Sequence, residues 1–162
     1  MTANRQRATN AKEAEAPVAI NVHELPGHLI RLAQQLHKRL WVSEVSAEIT
    51  SPQYGILNAI LADPGIDQKT AGEEVGIDKS TVGDVVYRLA ERGLVHTIRD
   101  PEDQRRNLLH LSRAGRQAVA ELAPRILEMN RKLVASLSQD EQDVLVRLLE
   151  TLVEGVSDNG GA

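Results

Sequence analysis

Apolar residues at Leu25, Leu29, Leu32, Leu36, Leu40 and Val45 recur every three to five positions. That spacing predicts an amphipathic helix, entered through Pro26, whose missing N–H is one a helix start leaves unused anyway. Ser51 followed by Pro52 predicts a fresh start, with Tyr54, Leu57, Ile60 and Leu61 on the inner face and Asp63, Pro64 and Gly65 ending the helix. From Ile66 onward the elements shorten. Asp67 can cap a helix through Val75, Gly76 can turn the chain, and Asp78 can cap another helix that runs to Arg92 and stops at Gly93. Two short helices joined at a glycine suggest a helix-turn-helix. The segments LVHTIRD (94–100) and NLLHLS (107–112) alternate and are β-branched enough to predict two strands joined by the polar tip PEDQRR, a hairpin that would form a wing. Ser112 then opens a long helix with Ala118, Leu122, Ile126, Met129, Leu133 and Leu137 on one side. Ser138, with Glu141 three residues on, opens the last helix as a capping box.

This pattern predicts a mainly α fold with a small β-wing, a winged helix-turn-helix core flanked by long helices. Residues 1–20 are polar, mixed in charge and without a periodic apolar face, so a flexible tail is expected there and again at 157–162. Between them, 21–156 reads as one domain: a winged-helix lobe over 52–116, with helices over 21–50 and 117–156 flanking it. A chain of 162 residues, 41% apolar, can build one core and not two comfortable ones.

Composition narrows the function. With no cysteine in the sequence, disulfides, thiolate zinc sites and thiol catalysis are excluded together. No apolar run approaches the roughly 18 residues that span a bilayer, and the N-terminus lacks the apolar centre of a signal peptide, so a cytoplasmic protein is expected. The net charge of −4 argues against nucleic acid only as a total. Residues 79–116 hold eight basic against five acidic residues, while 51–78 and 117–162 are each net −4. Positive charge is thus concentrated in one stretch. Trp41, Tyr54 and Tyr87 are the only aromatics besides histidine, which disfavours base stacking on aromatic platforms and leaves duplex DNA.

In the helix expected from Asp78 to Arg92, Val82, Val85, Val86 and Leu89 define a buried face at helical spacing. The opposite face shows Lys79, Ser80, Gly83, Asp84 and Arg88, with Thr81 beside them at the helix start. Free backbone amides and small hydroxyls there would suit phosphates and base edges. Asp84 reads either as an acceptor for a cytosine amino group or as the partner of Arg88 one turn later. At the hairpin tip, Arg105 could enter a minor groove with Asp103 orienting its guanidinium, and Arg106 lies beside it. The set expected to face DNA is Gln68, Lys69, Lys79, Ser80, Thr81, Gly83, Asp84, Arg88, Asp103, Arg105 and Arg106.

The run QKTAGEEVGIDKSTVGDVVYRLAERGLV, followed by DPEDQRRNLLHLSRAG, resembles the MarR family of bacterial regulators. Two features carry the likeness: the wing motif D-x-R, here Asp103 and Arg105, and the close L-x-L-[ST]-x-x-G, here Leu109, Leu111, Ser112 and Gly115. The resemblance covers about residues 25–155, including the flanking helices that dimerise in that family. It implies a homodimer that places two reading helices in successive major grooves of a pseudo-palindromic operator. One departure is Ala71-Gly72, where the family tends to have a larger apolar residue and Ala, which bears on how firmly the first helix of the motif packs.

The resemblance also implies a small-molecule site near the first two helices. The matching segment GHLIRLAQQLHKRLW holds Arg31, Gln34, His37 and Lys38, with Trp41 at its end and Tyr54 on the next helix. Arginine for a carboxylate, imidazole for a hydroxyl and rings for the apolar body suit an aromatic carboxylate, and the segment is similar to members that answer to hydroxylated benzoates or cinnamates and control their degradation. The ligand set is therefore Arg31, Gln34, His37, Trp41 and Tyr54. The alternative is a solvated helix face with Trp41 in a dimer core. No cofactor, metal or enzymatic site is expected: His23 and His28 lie five apart without a third ligand, and no nucleophile sits with a base. The functional expectation is a repressor released by a small aromatic acid. The alternatives are an architectural DNA-binding protein without an effector and a regulator of efflux or stress genes with another ligand.

Overall fold

The computed structural model describes residues 20–157; of the tails expected over 1–20 and 157–162, all but Ile20 and Ser157 lies outside the described residues. After a 3-10 turn at Val22–Glu24 come α1 (Pro26–Leu40), α2 (Ser51–Ala62), α3 (Gln68–Val75) and α4 (Lys79–Glu91). Strands β1 (Val95–Arg99) and β2 (Asn107–Leu111) follow, then α5 (Arg113–Leu133) and α6 (Gln139–Ser157). The strands form an antiparallel hairpin, with Val95 opposite Leu111 and Arg99 opposite Asn107. No helix among the described residues is long and apolar enough to cross a membrane.

The helix starts follow local chemistry. Asp67, Asp78 and Ser112 each accept backbone N–H groups of the helix they open, which satisfies donors that have no partner within the helix. Ser138 and Glu141 bond reciprocally at the entry to α6. At α2 the structure differs from the sequence reading. Thr50, one residue earlier than Ser51, is the cap, and it forms a capping box with Gln53. Pro52 permits this because neither of the first two helical N–H groups has an intrahelical acceptor. The first long helix also does not continue regularly to Val45: Trp41–Val45 winds as a π-helix. The five-residue step from Leu40 to Val45 is the trace of that wider turn in the sequence.

The core is built by α2 to α5, the wing and the π-turn that follows α1. Ile56, Leu57 and Ile60 of α2 pack with Ala71 of α3, Val82, Val86 and Leu89 of α4, Val95, Leu109 and Leu111 of the wing, and Val119, Leu122 and Met129 of α5. Trp41, Val45 and Ile49 close one side. Gly72 explains the departure at Ala71-Gly72. A Cβ there would meet Val82 Cγ2 at 2.9 Å, so a glycine lets α3 settle directly on α4, and Ala71 beside it is fully buried. The first helix of the motif is firmly packed by close approach in place of bulk. In contrast, α1 buries none of its residues, and Leu25, Leu29, Leu32 and Leu36 are all exposed. The same holds for α6, where Val144, Val146, Leu148, Leu149 and Leu152 face outward.

Candidate nucleic-acid interface and ligand cleft

A cleft of about 490 Å³ opens between the start of α3, the start of α4 and the base of the wing. It is lined in part by Gln68, Lys69, Lys79, Arg105 and Arg106, so tertiary folding gathers cations from three elements on one face. Thr81, Asp84 and Arg88 lie along exposed positions of α4, outside that lining, as does Asp103 at the wing tip. No hydrogen bond or ion pair joins Asp84 to Arg88 among the described residues. Gly83 is half-buried, with the Gln68 amide 3.5 Å from where a Cβ would stand.

Two expectations about the helix start change. The amides of Ser80 and Thr81 are not free: each donates to Asp78 Oδ1 at 3.0 Å. Both hydroxyls also donate to the Asp78 carboxylate, Thr81 Oγ1 at 2.8 Å. These bonds hold Asp78 down at about 2. A cap strong enough to order the first turn of α4 therefore occupies the donors that the sequence reading left for phosphate. Lys79 and the cations of the cleft remain exposed for that role.

At the wing, Asp103 Oδ1 accepts the backbone N–H of Arg105 at 3.0 Å, so it shapes the turn and does not hold the guanidinium. The anchored arginine is Arg106. Its Nη2 lies 2.8 Å from Asp67 Oδ2 and its Nη1 3.6 Å from Asp100 Oδ2, which clamps the wing to the start of α3. Sequence reasoning assigned Asp67 only to capping, because its wing partner is 39 residues away. The carboxylate serves both tasks. It also accepts from Lys69 N, Thr70 N and Thr70 Oγ1. Partial burial alone would raise its pKa, but the hydrogen bonds from Thr70, Arg106 and Lys69 outweigh that and hold it at about 2, below the ordinary 3.8.

The depressed pKa fixes a sign. The stability that ionised Asp67 contributes is fully present above about pH 4 and is lost as pH falls from there toward about 2. Asp67→Ala should cost on the order of 1–2 kcal/mol at neutral pH, for the cap and the wing clamp together. Urea denaturation at pH 7 and pH 3 checks both points: the difference between wild type and variant should shrink at the lower pH. A gap that stays constant across that range would remove Asp67 as its source.

A second cleft, of about 340 Å³, lies where α1 passes through the π-turn into α2. It is lined by His37, Lys38, Trp41 and Val42 on one side, and by Ser46, Ala47, Thr50, Ser51 and Pro52 on the other. The ring of Trp41 lies 5.9 Å from His37 and 6.1 Å from Tyr54, so three of the five expected ligand residues form one aromatic ladder. Only His37 and Trp41 line the cleft itself. Tyr54 backs Trp41, and burial pushes its phenol pKa up. Arg31 and Gln34 are exposed and outside the lining; Arg31 Nη2 lies 3.4 Å from His28 Nδ1. They do share a helical stripe with Lys38 and Trp41, at steps of three and four residues. Ser46 and Thr50 were missed by the ligand set because their approach depends on the π-turn, while Lys38, named among the polar residues of α1, was left out of that set. Among the described residues, no group of three or more His, Asp or Glu side chains could hold a metal ion.

Residues 47–106 match the profile of the MarR family. The chain is similar to the transcriptional regulator HosA of Escherichia coli O111:H-, with 30% identity over 126 residues that make up 78% of this chain and 93% of HosA. It is also similar to the crystal structure of the PcaV transcriptional regulator from Streptomyces coelicolor in complex with its natural ligand. There the identity is 46% and the TM-score 0.83, covering 86% of this chain and 99% of PcaV. A third likeness is to BpsR of Bordetella bronchiseptica, whose DNA binding is regulated by 6-hydroxynicotinic acid, at 28% identity and a TM-score of 0.73, over 78% of this chain and 97% of BpsR.

Proposed function

The chain belongs to the MarR family of DNA-binding transcriptional regulators, and from that premise we propose that it is a homodimeric cytoplasmic repressor released from its operator by a small aromatic carboxylate. The observation that carries the ligand half is the second cleft. Its volume lies at the lower end of the roughly 300–1,000 Å³ typical of small-molecule sites, and its walls combine an indole, an imidazole and an ammonium from the end of α1 with the start of α2. An aromatic ring would pack on Trp41, and its carboxylate would meet His37, Lys38 and the positive end of α2. Arg31 and Gln34 stand one to two turns up α1, outside the cleft's lining. The likeness to a regulator that answers to 6-hydroxynicotinic acid supports an acid of this class.

On the DNA side, α4 would enter the major groove with Lys79, Ser80, Thr81, Gly83, Asp84 and Arg88, while Gln68, Lys69 and Arg106 approach phosphates and Arg105 reaches the minor groove. The Arg105 guanidinium has no ion-pair partner among the described residues, so its charge is available. With duplexes selected from random-sequence DNA, Arg105→Ala should weaken binding about tenfold or more and make the salt dependence shallower by about one counterion. Unchanged affinity and slope would take Arg105 out of the interface.

Ligand binding is tested by calorimetry with hydroxybenzoates, hydroxycinnamates and 6-hydroxynicotinate. His37→Ala should weaken the best ligand about tenfold, as expected for losing one charge-assisted hydrogen bond, and Arg31→Ala should weaken it less, because Arg31 stands outside the cleft's lining. Wild-type affinity in Arg31→Ala alone would confine the carboxylate to the His37–Lys38 wall. Binding of DNA without sequence preference, together with no response to any acid, would favour the architectural reading.

A further inference from the structure

Two adjacent carbonyls on the segment between the π-turn and α2 are gripped from opposite sides. The Ile49 carbonyl accepts the buried indole N–H of Trp41 at 2.7 Å. The Glu48 carbonyl accepts Arg92 Nη1 at 2.8 Å, and Arg92 Nη2 meets Glu48 Oε2 at 3.2 Å. Trp41 is a wall of the ligand cleft, whereas Arg92 is the residue that ends α4. The segment itself is the cleft's other wall, through Ser46, Ala47 and Thr50. Ser46 Oγ accepts the N–H groups of Glu48 and Ile49 at 3.1 and 2.9 Å, which ties this turn into one unit. Upstream, the π-turn is held to α5 by the Lys132–Glu44 ion pair and by Arg125 Nη1, which donates to the Val45 carbonyl at 3.4 Å.

We propose that Arg92 is the positioning residue that couples the cleft to the reading helix: a guest displacing the 46–50 turn shifts the C-terminal end of α4 through the Glu48–Arg92 contact. The proposal rests on the effector reading above for the identity of the guest, and not for the link itself. Arginine suits the task because its rigid fork holds a carbonyl and a carboxylate at once, which a lysine ammonium does only as a single point of charge. The ion pair is too exposed to add much stability, with Glu48 83% exposed, so the contact serves geometry more than folding. Its two ends belong to the cleft's wall and to the reading helix, which is where a contact must sit if both sites are to bias it.

Coupling of this kind is reciprocal, so DNA on α4 must also alter the cleft. Trp41 is the only tryptophan in the chain, which makes its emission a direct report of that cleft. The experiment follows Trp41 emission while the full-length protein is titrated with a duplex selected from random-sequence DNA; anisotropy of a labelled copy of the duplex records binding. In the wild type the emission should shift as the duplex saturates. In Arg92→Met the duplex should bind with unchanged affinity and the shift should be lost, while Arg92→Lys retains part of it. A shift of full size in Arg92→Met, no shift in the wild type, or loss of duplex binding by Arg92→Met at an unchanged melting temperature would each overturn the proposal. A wild type that binds none of the aromatic acids, yet shows an Arg92-dependent shift, would end the effector reading and support the coupling.

Discussion

Changing Leu148 and Leu152 together to lysine should leave the protein folded but monomeric and should abolish tight operator binding. Both side chains lie one turn apart on α6, exposed at 59% and 50%, in line with Val144 one turn earlier. The outward leucines of α1 give a second stripe of the same kind. A contiguous apolar face of this size on an otherwise well-packed chain marks an interface. In a two-fold dimer each substitution occurs twice, so four leucines leave the contact. At about 1.5–3 kcal/mol apiece, their loss removes on the order of 6–12 kcal/mol from association, as an upper bound. The α2–α5 core does not use these residues, so helicity by circular dichroism should persist. Sedimentation should then give the single-chain mass of 17.8 kDa, and anisotropy with a two-fold duplex should show affinity falling by orders of magnitude. A variant that still sediments as a dimer would place the interface elsewhere.

The second large effect concerns Gly115. Even alanine there should lower stability by on the order of 3 kcal/mol, and valine by more, because the obstacle is backbone. A Cβ at this position would stand 2.1 Å from the Leu94 carbonyl oxygen. That oxygen cannot retreat: it accepts the Ser112 N–H at 3.0 Å, and the Ser112 hydroxyl donates to the neighbouring Gly93 carbonyl at 2.7 Å. The first turn of α5 thus lies directly on the chain that enters β1. For a chain of this size the expected fall in melting temperature is roughly 6–12 °C for Gly115→Ala. An unchanged melting temperature would mean that α5 can slide along the wing, and the L-x-L-S-x-x-G segment would then have no packing reason for its glycine.

The sequence was most legible where physics is local. A carboxylate or hydroxyl two or three residues before an amide caps it whatever the rest of the chain does, so Asp67, Asp78, Ser112 and Ser138 marked helix starts correctly. The one shift, from Ser51 to Thr50, arose because proline tolerates either of the first two helical positions. The apolar stripe of α1 was legible as a helix but not as an exposed surface, since periodicity reports which residues share a face and not what covers that face.

The candidate site divides along the same line. Sequence alone determined the helix-turn-helix, the hairpin and the positive stretch over 79–116, because caps, turns and alternation depend on neighbours within a few residues. Tertiary structure decided which arginine is anchored. Arg106 is the one tied to Asp67 and Asp100, and Arg105 is left exposed, a choice in which the Asp67 contact reaches across 39 residues of chain. It also decided that His37 and Trp41 line a cleft while Arg31 stands outside its lining, and that Arg92 reaches back to Glu48. Each of these needs two segments brought together by packing, and no local pattern carries the distance between them.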